Sequence, residues 1–270
     1  MLVKLSKIVL FLLCCTTLLF SSCKNKSTDI PYTFEELAGI QGKNRLLIKQ
    51  HGLYGYTNMD SNVVIAPQYD SALFFNTNPY TLVQKEGLWG IIDQSGKKVV
   101  DCIYDSILAY NGIDFENYPI VVKNEQYSIV DTTGRVLAKN YKFLKRTFQY
   151  NLFIAKKGKG YGLIDPKGNW HTSEDYNQYK THLGWSILKK DDQWKLFNTQ
   201  GKALFNDKTF DSISIEPRPY YNLVAGRRYL VKQNSWWGVI NDQGEWAIPN
   251  SYKTIQFMEQ ESEFILTPAQ

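Results

Sequence analysis

Short apolar runs separated by polar turns recur along the chain from about residue 44 onward. Residues 87–105 show the pattern most clearly, with Gly-Leu-Trp-Gly-Ile-Ile-Asp before the turn Gln-Ser-Gly and Lys-Lys-Val-Val-Asp-Cys-Ile-Tyr-Asp after it. Apolar and β-branched runs on both sides of an Asp/Gly turn predict two strands joined by a hairpin. Because the unit recurs about every 35 residues, the sequence predicts a repeat architecture.

Six units can be aligned by three shared positions. Each unit opens with an aromatic residue: Tyr54, Trp89, Tyr127, Tyr161, Trp194 and Trp237. An Asp or Asn follows four residues later: Asn58, Asp93, Asp131, Asp165, Asn198 and Asn241. A second aromatic ends the hairpin: Tyr69, Tyr104, Tyr141, Tyr176, Phe210 and Tyr252.

Each shared position has a physical interpretation. The Asp or Asn side chain is expected to cap its own turn, and a glycine three residues further on can adopt positive φ. Glycine also follows the opening aromatic in four units, but Ser128 and Lys195 replace it in the third and fifth. We expect this glycine to leave a bare patch on which a ring or backbone packs closely, and the aromatic to fill the gap between sheets.

Two further strands complete each predicted unit. One precedes the hairpin, and a seventh copy of it, Glu263 to Thr267, ends the chain. The other follows the second aromatic, as in 71–75 and 106–110. The sequence therefore predicts an all-β protein of about six four-stranded antiparallel meanders. Six such units could close into a propeller-like ring, which we favour, or stack as an open superhelical array.

This pattern resembles the WG-repeat family, also called KWG repeats, over about residues 44–267. The resemblance is most specific at Trp89-Gly90 and at Trp236-Trp237-Gly238, and it is degenerate in the third and fifth units. The family occurs in secreted and envelope proteins and implies no shared enzymatic activity. It therefore supports the fold and the cellular placement without adding a catalytic residue.

The first residues have the layout of an export signal. Lys4 and Lys7 precede an apolar run that is too short to span a bilayer, and the segment ends in Ser21-Ser22-Cys23. This ending resembles a bacterial lipoprotein signal, although an ordinary signal peptide or an uncleaved anchor would also fit. We expect a signal peptide at 1–22, a lipidated Cys23 with a polar tether at 23–40, and the repeat domain at 41–270. The resemblance implies a three-chain lipid anchor, and we expect the outer membrane facing the periplasm.

The remaining composition gives little chemistry. The formal charge of +5 falls to +3 without Lys4 and Lys7, and the scattered lysines do not indicate nucleic-acid binding. Cys102 is interpreted as a structural thiol, and His51, His171 and His182 as solvated or core-capping side chains. No metal spacing, phosphate-binding loop or nucleophile elbow is recognised. We expect no cofactor, no metal and no enzymatic activity.

One charged feature does recur. A lysine ends the strand before each hairpin: Lys49, Lys85, Lys123, Lys156, Lys189 and Lys232. If these positions are equivalent, the lysines form a positive rim that could bind an acidic polysaccharide, lipid headgroups or an acidic partner. They could instead protect strand edges from aggregation.

The expected function is an interaction scaffold with an unidentified protein or glycan partner. A carbohydrate-binding module or a propeller-type glycan hydrolase are the alternatives. The long segment near Glu216 to Arg227, with Tyr220 and Tyr221, is the loop where we expect function.

Overall fold

The chain folds into small antiparallel sheets. The computed structural model describes residues 45–75, 79–108, 118–147, 152–182, 185–214, 228–241, 244–258 and 263–268. These residues form strands β1 to β22 and one 3₁₀ turn at Phe205–Asp207, and they contain no α-helix. No helix in these ranges is long and apolar enough to span a bilayer. The expected all-β fold is confirmed.

The strands form six sheets in chain order. Sheet 1 contains β1 (Leu46–Gln50), β2 (Leu53–Thr57) and β3 (Val63–Tyr69). Sheet 2 contains β4 (Ser71–Ala72), β5 (Tyr80–Lys85), β6 (Leu88–Asp93) and β7 (Lys98–Tyr104). Sheet 3 contains β8 (Ser106–Leu108), β9 (Ile120–Lys123), β10 (Gln126–Val130) and β11 (Val136–Tyr141).

The remaining three sheets follow the same order with more variation. Sheet 4 contains β12 (Phe143–Arg146), β13 (Phe153–Lys156) and β14 (Gly162–Ile164). Sheet 5 contains β15 (Gln178–His182), β16 (Trp185–Lys190) and β17 (Gln193–Phe197). Sheet 6 contains β18 (Ser212–Ser214), β19 (Tyr229–Gln233), β20 (Trp236–Ile240), β21 (Trp246–Met258) and β22 (Glu263–Pro268).

The six opening aromatics occupy the same setting. Each one lies directly across from the second aromatic of its unit: Tyr54 and Tyr69, Trp89 and Tyr104, Tyr127 and Tyr141, Tyr161 and Tyr176, Trp194 and Phe210, Trp237 and Tyr252. Cross-strand aromatic pairs of this kind stabilise antiparallel strands. The alignment of the units by their aromatics is therefore confirmed in three dimensions.

The Asp/Asn turns, called the repeat turns below, form as expected. In the second unit, Asp93 Oδ1 accepts hydrogen bonds from the backbone N–H groups of Ser95 (2.8 Å) and Lys97 (3.0 Å). Gly96 has φ of +86° and donates its N–H to the Asp93 carbonyl. The Asn side chains of the first and fifth units accept the same two backbone hydrogen bonds. The turn is thus set by four residues of local sequence.

The sequence predicts that the strand after the second aromatic completes the meander of its own unit. In the structure this strand instead begins the next sheet. β4 pairs with β5, β8 with β9, β12 with β13, β15 with β16 and β18 with β19. In sheet 2, Asp70 donates its N–H to the Gln84 carbonyl and so fixes the start of this pairing. Each unit is therefore joined to the next by backbone hydrogen bonds.

A second type of turn, called the tight turn below, joins the strand before each hairpin to the first strand of that hairpin, as between β5 and β6. In sheets 1, 2, 3, 5 and 6 both central residues have positive φ, for example Glu86 (+55°) and Gly87 (+77°). A carboxylate that follows the second aromatic accepts an N–H from this turn. Asp70 binds Gly87 N at 3.3 Å, Asp105 binds Asn124 N at 2.6 Å, and Asp211 binds Ser235 N at 2.9 Å. These carboxylates latch consecutive units together.

The glycine after the opening aromatic lies under a bulge. Between the pairs Trp89–Tyr104 and Ile91–Val100, β7 advances by four residues while β6 advances by two. The extra residues arch over Gly90, where an added Cβ would lie 2.6 Å from the Val100 carbonyl oxygen. Units 1 and 6 show the same two-against-four register, at Gly55 and Gly238. Close approach of backbone explains the glycine, as expected.

In the two units without this glycine, the segment after the repeat turn differs from that of units 1, 2 and 6. In unit 3, Ser128 stands opposite a smaller bulge of three residues, and Tyr127 to Tyr141 is one residue shorter than Trp89 to Tyr104. In unit 5, Lys195 replaces the glycine, and the third segment leaves the sheet through the 3₁₀ turn. Among the described units the two-against-four bulge occurs only over glycine, although unit 4 keeps Gly162 and its third segment forms only isolated bridges at Trp170 and Tyr176.

Five buried cores lie between consecutive sheets. Each contains side chains from two neighbouring sheets, such as Tyr56 and Val83 between sheets 1 and 2. The other four cores join sheets 2 and 3, 3 and 4, 4 and 5, and 5 and 6. Within β6, Ile92 faces the core shared with sheet 1 and Ile91 faces the core shared with sheet 3. Sheets 2 to 5 thus bury both faces in cores shared with their neighbours.

The seventh copy of the first strand is β22. It pairs with the end of β21, from Thr254 to Met258, and extends sheet 6 to five strands. Within the described ranges it pairs with no strand of sheet 1. The seventh copy therefore extends the last sheet.

Gly90→Ala is expected to lower the free energy of unfolding by about 2–4 kcal/mol, because the new methyl group collides with backbone atoms of β7. Ser128→Ala is the matched control at the equivalent position of unit 3, where a side chain already fits, and it should cost less than about 1 kcal/mol. Urea unfolding followed by circular dichroism measures both. Equal losses in the two variants would contradict the bulge explanation.

The repeat-turn carboxylates are expected to make the fold acid-sensitive. Burial raises the pKa of Asp93, Asp131 and Asp165, but the hydrogen bonds within each turn together lower it by more. Each pKa therefore lies below its ordinary value. Such groups stabilise the folded state above their unfolded pKa and lose that contribution as the pH falls below about 4. In the triple variant with Asn at these three positions, the free energy of unfolding should fall less steeply between neutral and acid pH than in the wild type.

Asparagine already occupies three of the six repeat turns, so the triple variant should keep its stability at pH 7 to within about 1 kcal/mol. Asp60→Asn removes an exposed carboxylate within a repeat turn and is the control. Thermal melts at a series of pH values make the comparison. If the triple variant and the wild type lose stability in parallel on acidification, the turns do not carry the pH dependence.

Candidate interaction surface

The six lysines singled out from the sequence do not lie at equivalent positions. Lys49, Lys189 and Lys232 pair directly across from opening aromatics. Lys85 and Lys123 lie one residue later, across from Leu88 and Gln126. Because side chains alternate between the faces of a strand, these two point to the opposite face. The six positions are therefore not equivalent, and a positive rim that binds anions stays a prediction.

Lysines at the aromatic position contact the ring. Lys49 Nζ lies 4.9 Å from the centroid of Tyr54, and Lys156 Nζ lies 5.1 Å from that of Tyr161. Lys189 Nζ lies 5.8 Å from the Trp194 centroid and 2.9 Å from Asp192 Oδ1. At these distances the ammonium is attracted by the ring quadrupole. The contact with the neighbouring ring thus accounts for Lys49, Lys156 and Lys189.

Sheets 4 and 5 bring three half-buried rings together near the tight turns. Phe143 lies 5.7 Å from Tyr161 and 5.5 Å from Tyr179, and Tyr161 lies 4.9 Å from Tyr179 between centroids. Tyr127 of sheet 3 continues the cluster, 6.2 Å from Phe143. Burial, and then the neighbouring Tyr161, raises the pKa of Tyr179, so its hydroxyl stays protonated at neutral pH. The cluster presents neutral rings to solvent.

Two further lysines border these rings and were missed from the sequence. Lys145 and Lys180 each lie four residues after the second aromatic of their unit, so they are equivalent. Lys145 Nζ lies 5.5 Å from the Tyr179 centroid, and Lys180 Nζ lies 4.5 Å from that of Trp194. We call Phe143, Tyr161 and Tyr179, with Lys145, Lys156 and Lys180, the aromatic–lysine surface.

The positive charge of the chain is concentrated in the segment that contains this surface. Residues 142–195 contain eleven Lys and Arg and five Asp and Glu, which gives a formal charge of +6, whereas the whole chain carries +5. The rest of the chain is therefore slightly acidic. Averaging over the chain hides this concentration, although the sequence contains it.

The other candidate groups have structural surroundings. His51 is exposed in the tight turn of sheet 1, and His171 lies against Gly201. Cys102 lies against Gly90, and burial raises the pKa of its thiol. Asp191 and Asp192 form a tight turn with positive φ. No group of three His, Cys, Asp or Glu in the described ranges could hold a metal ion.

A hollow of about 220 Å³ lies beside the repeat turn of unit 3. Its lining includes Tyr118, Asp131, Arg135 and Lys167. The Asp131 carboxylate already accepts hydrogen bonds from Thr133 and Arg135 of its own turn. The carboxylate is thus occupied within the turn.

Some predictions concern residues outside the described ranges. Cys23 and the segments 1–22 and 23–40 lie there, as do Tyr220, Tyr221 and the loop Glu216 to Arg227. The side chain of His182 also lies outside them. Their expected roles stay predictions.

A family model described as "WG containing repeat" matches residues 54–89, 89–126 and 237–261. The chain carries WG repeats. The three matches begin at Tyr54, Trp89 and Trp237, and these WG repeats are the units with the two-against-four bulge over glycine. The expected resemblance is confirmed at these positions.

Solved structures with some similarity to this chain are distant. BamB from Moraxella catarrhalis is 14% identical, with 83% of this chain and 76% of that chain covered and a TM-score of 0.31. Hsv2 of Kluyveromyces lactis is 11% identical, with 89% and 97% covered and a TM-score of 0.37. A eukaryotic initiation factor is 10% identical, with 87% and 72% covered and a TM-score of 0.38. Similarity at this level carries no argument about function. A search of curated proteins gave no match.

Proposed function

We propose that the protein is a membrane-tethered interaction scaffold of the cell envelope, without catalytic activity. The aromatic–lysine surface carries this proposal, because it combines partly exposed rings with unusually concentrated positive charge. Aromatic side chains provide contact area at low entropic cost, and charge guides association. The lipid anchor and its polar tether would keep this surface close to the membrane.

The packing of the sheets supports a rigid scaffold. Phe143 and Tyr161 pack against the core shared by sheets 4 and 5, while Phe153 of β13 belongs to the core shared with sheet 3. Side chains held on strands with buried neighbours keep their geometry better than side chains on loops. Binding at such a surface loses little conformational entropy.

For the finer architecture, we propose the propeller-like ring rather than the open array. Thr57 of sheet 1 corresponds to Ile92, which faces the preceding sheet, and Val239 of sheet 6 corresponds to Ile91, which faces the following sheet. Thr57 is 0% exposed and Val239 is 1% exposed, although both face away from the neighbouring sheets described above. Contact between sheets 1 and 6 would bury both faces.

The carboxylates support binding over glycan hydrolysis. A glycosidase general acid needs a raised pKa. Every shifted carboxyl pKa in the described ranges is lowered by hydrogen bonds or ion pairs, as at Asp175 and Asp211. A carbohydrate-binding module would present coplanar rings, whereas Phe143 and Tyr161 are inclined by 89° and Tyr161 and Tyr179 by 63°. The ring geometry fits a protein partner better.

Affinity purification from the native envelope is expected to recover a specific partner protein with the lipidated chain. Cys23→Ala removes the proposed lipid attachment and should move the protein out of the membrane fraction, with partner recovery reduced. The readouts are mass spectrometry and metabolic labelling with palmitate. Unchanged membrane association of the variant would refute the anchor at Cys23. Failure to recover any specific partner from cross-linked envelopes would refute the scaffold.

Native-state hydrogen exchange distinguishes the ring from the open array. In a ring, amides of β2 and β20 should show opening free energies similar to those of β10 and β13, because every sheet has two neighbours. In an open array, the terminal sheets open at lower free energy, since stability is a sum over neighbours. Lower protection at both ends would exclude the ring.

A further inference from the structure

We propose that the aromatic–lysine surface binds an acidic, extended segment of the partner protein. The inference rests on the proposed scaffold function and names the chemistry of its partner. It differs from the rim of six lysines expected from the sequence, because only Lys156 belongs to both sets.

The charge balance of the surface is the first argument. Other lysines nearby have carboxylate partners, since Lys190 pairs with Asp175 and Lys189 with Asp192. None of the ion pairs formed between described residues includes Lys145, Lys156 or Lys180. These three ammonium groups therefore retain their hydrogen-bond donors for an external anion.

The rings provide the second argument. Each of the three lysines lies over an aromatic face, at 4.5 to 5.5 Å from the centroid. Contact with a ring restricts the lysine side chain but leaves the outer side of the ammonium open to a carboxylate. A bound carboxylate would thus meet a positioned cation beside an apolar ring. Apolar stems of the partner can pack on the exposed parts of Phe143 and Tyr179.

The arrangement favours a polypeptide over a lipid bilayer. Aromatic anchors of membrane surfaces project into the headgroup region. Phe143, Tyr161 and Tyr179 instead pack against each other and are only partly exposed. The lysines lie on successive sheets, Lys145 on β12 and Lys180 on β15. A chain with spaced carboxylates can follow that succession.

The test is the binding of a short fluorescein-labelled peptide of alternating glutamate and serine, measured by fluorescence anisotropy on the full chain. We expect binding that weakens as salt is added and that is absent for the same peptide with glutamine. Lys145→Glu/Lys180→Glu should reduce the affinity by about tenfold or more. Lys145→Gln/Lys180→Gln removes the charge without reversing it and should give a smaller loss.

The control is Lys97→Glu/Lys202→Glu, which changes the net charge equally at exposed positions of two repeat turns. It should change the affinity by less than about twofold, and circular dichroism verifies the fold of all variants. Equal losses in the test and control pairs would overturn the proposal, as would no peptide binding at low salt. Binding only to vesicles of phosphatidylcholine and phosphatidylserine would also overturn it. If envelope purification still recovers a partner in those cases, the scaffold function stands without the acidic segment.

Discussion

Shared burial between neighbouring sheets is the interaction on which the whole structure depends. A sheet of three or four short strands has two faces and cannot bury either alone. Here adjacent residues of one strand, Ile91 and Ile92, enter different cores. The aromatic that opens each of units 1 to 5 adds to the core shared with the next sheet, as Trp89 does between sheets 2 and 3. Stability is therefore a property of the series and not of the unit.

Local chemistry made the hairpins predictable, whereas strand order was not. The repeat turns follow from Asp93 and Gly96, which act within four residues of each other. The partner of the strand after the second aromatic is chosen by packing between sheets, and nothing within 71–75 encodes it. The altered bulge of unit 3 did have a signal, since Ser128 occurs together with a spacing shorter by one residue.

The candidate surface shows the same division. The lysine periodicity was visible, but the face on which each lysine lies depends on a one-residue offset from the aromatic, which separates Lys85 and Lys123 from the others. Lys145 and Lys180 could have been found by aligning the units on their second aromatic. Their position over rings of neighbouring strands required the three-dimensional arrangement. Sequence thus identified the repeated positions, and packing selected which of them form a surface.

The joint between units has a consequence for the integrity of the chain. Because β4 pairs with β5 and Asp70 accepts the N–H of Gly87, the strands on both sides of the connection between β4 and β5 belong to one sheet. A protease cut there would leave two fragments that remain interlocked through a common sheet. Such a protein can be cut between two paired strands and still keep its surface.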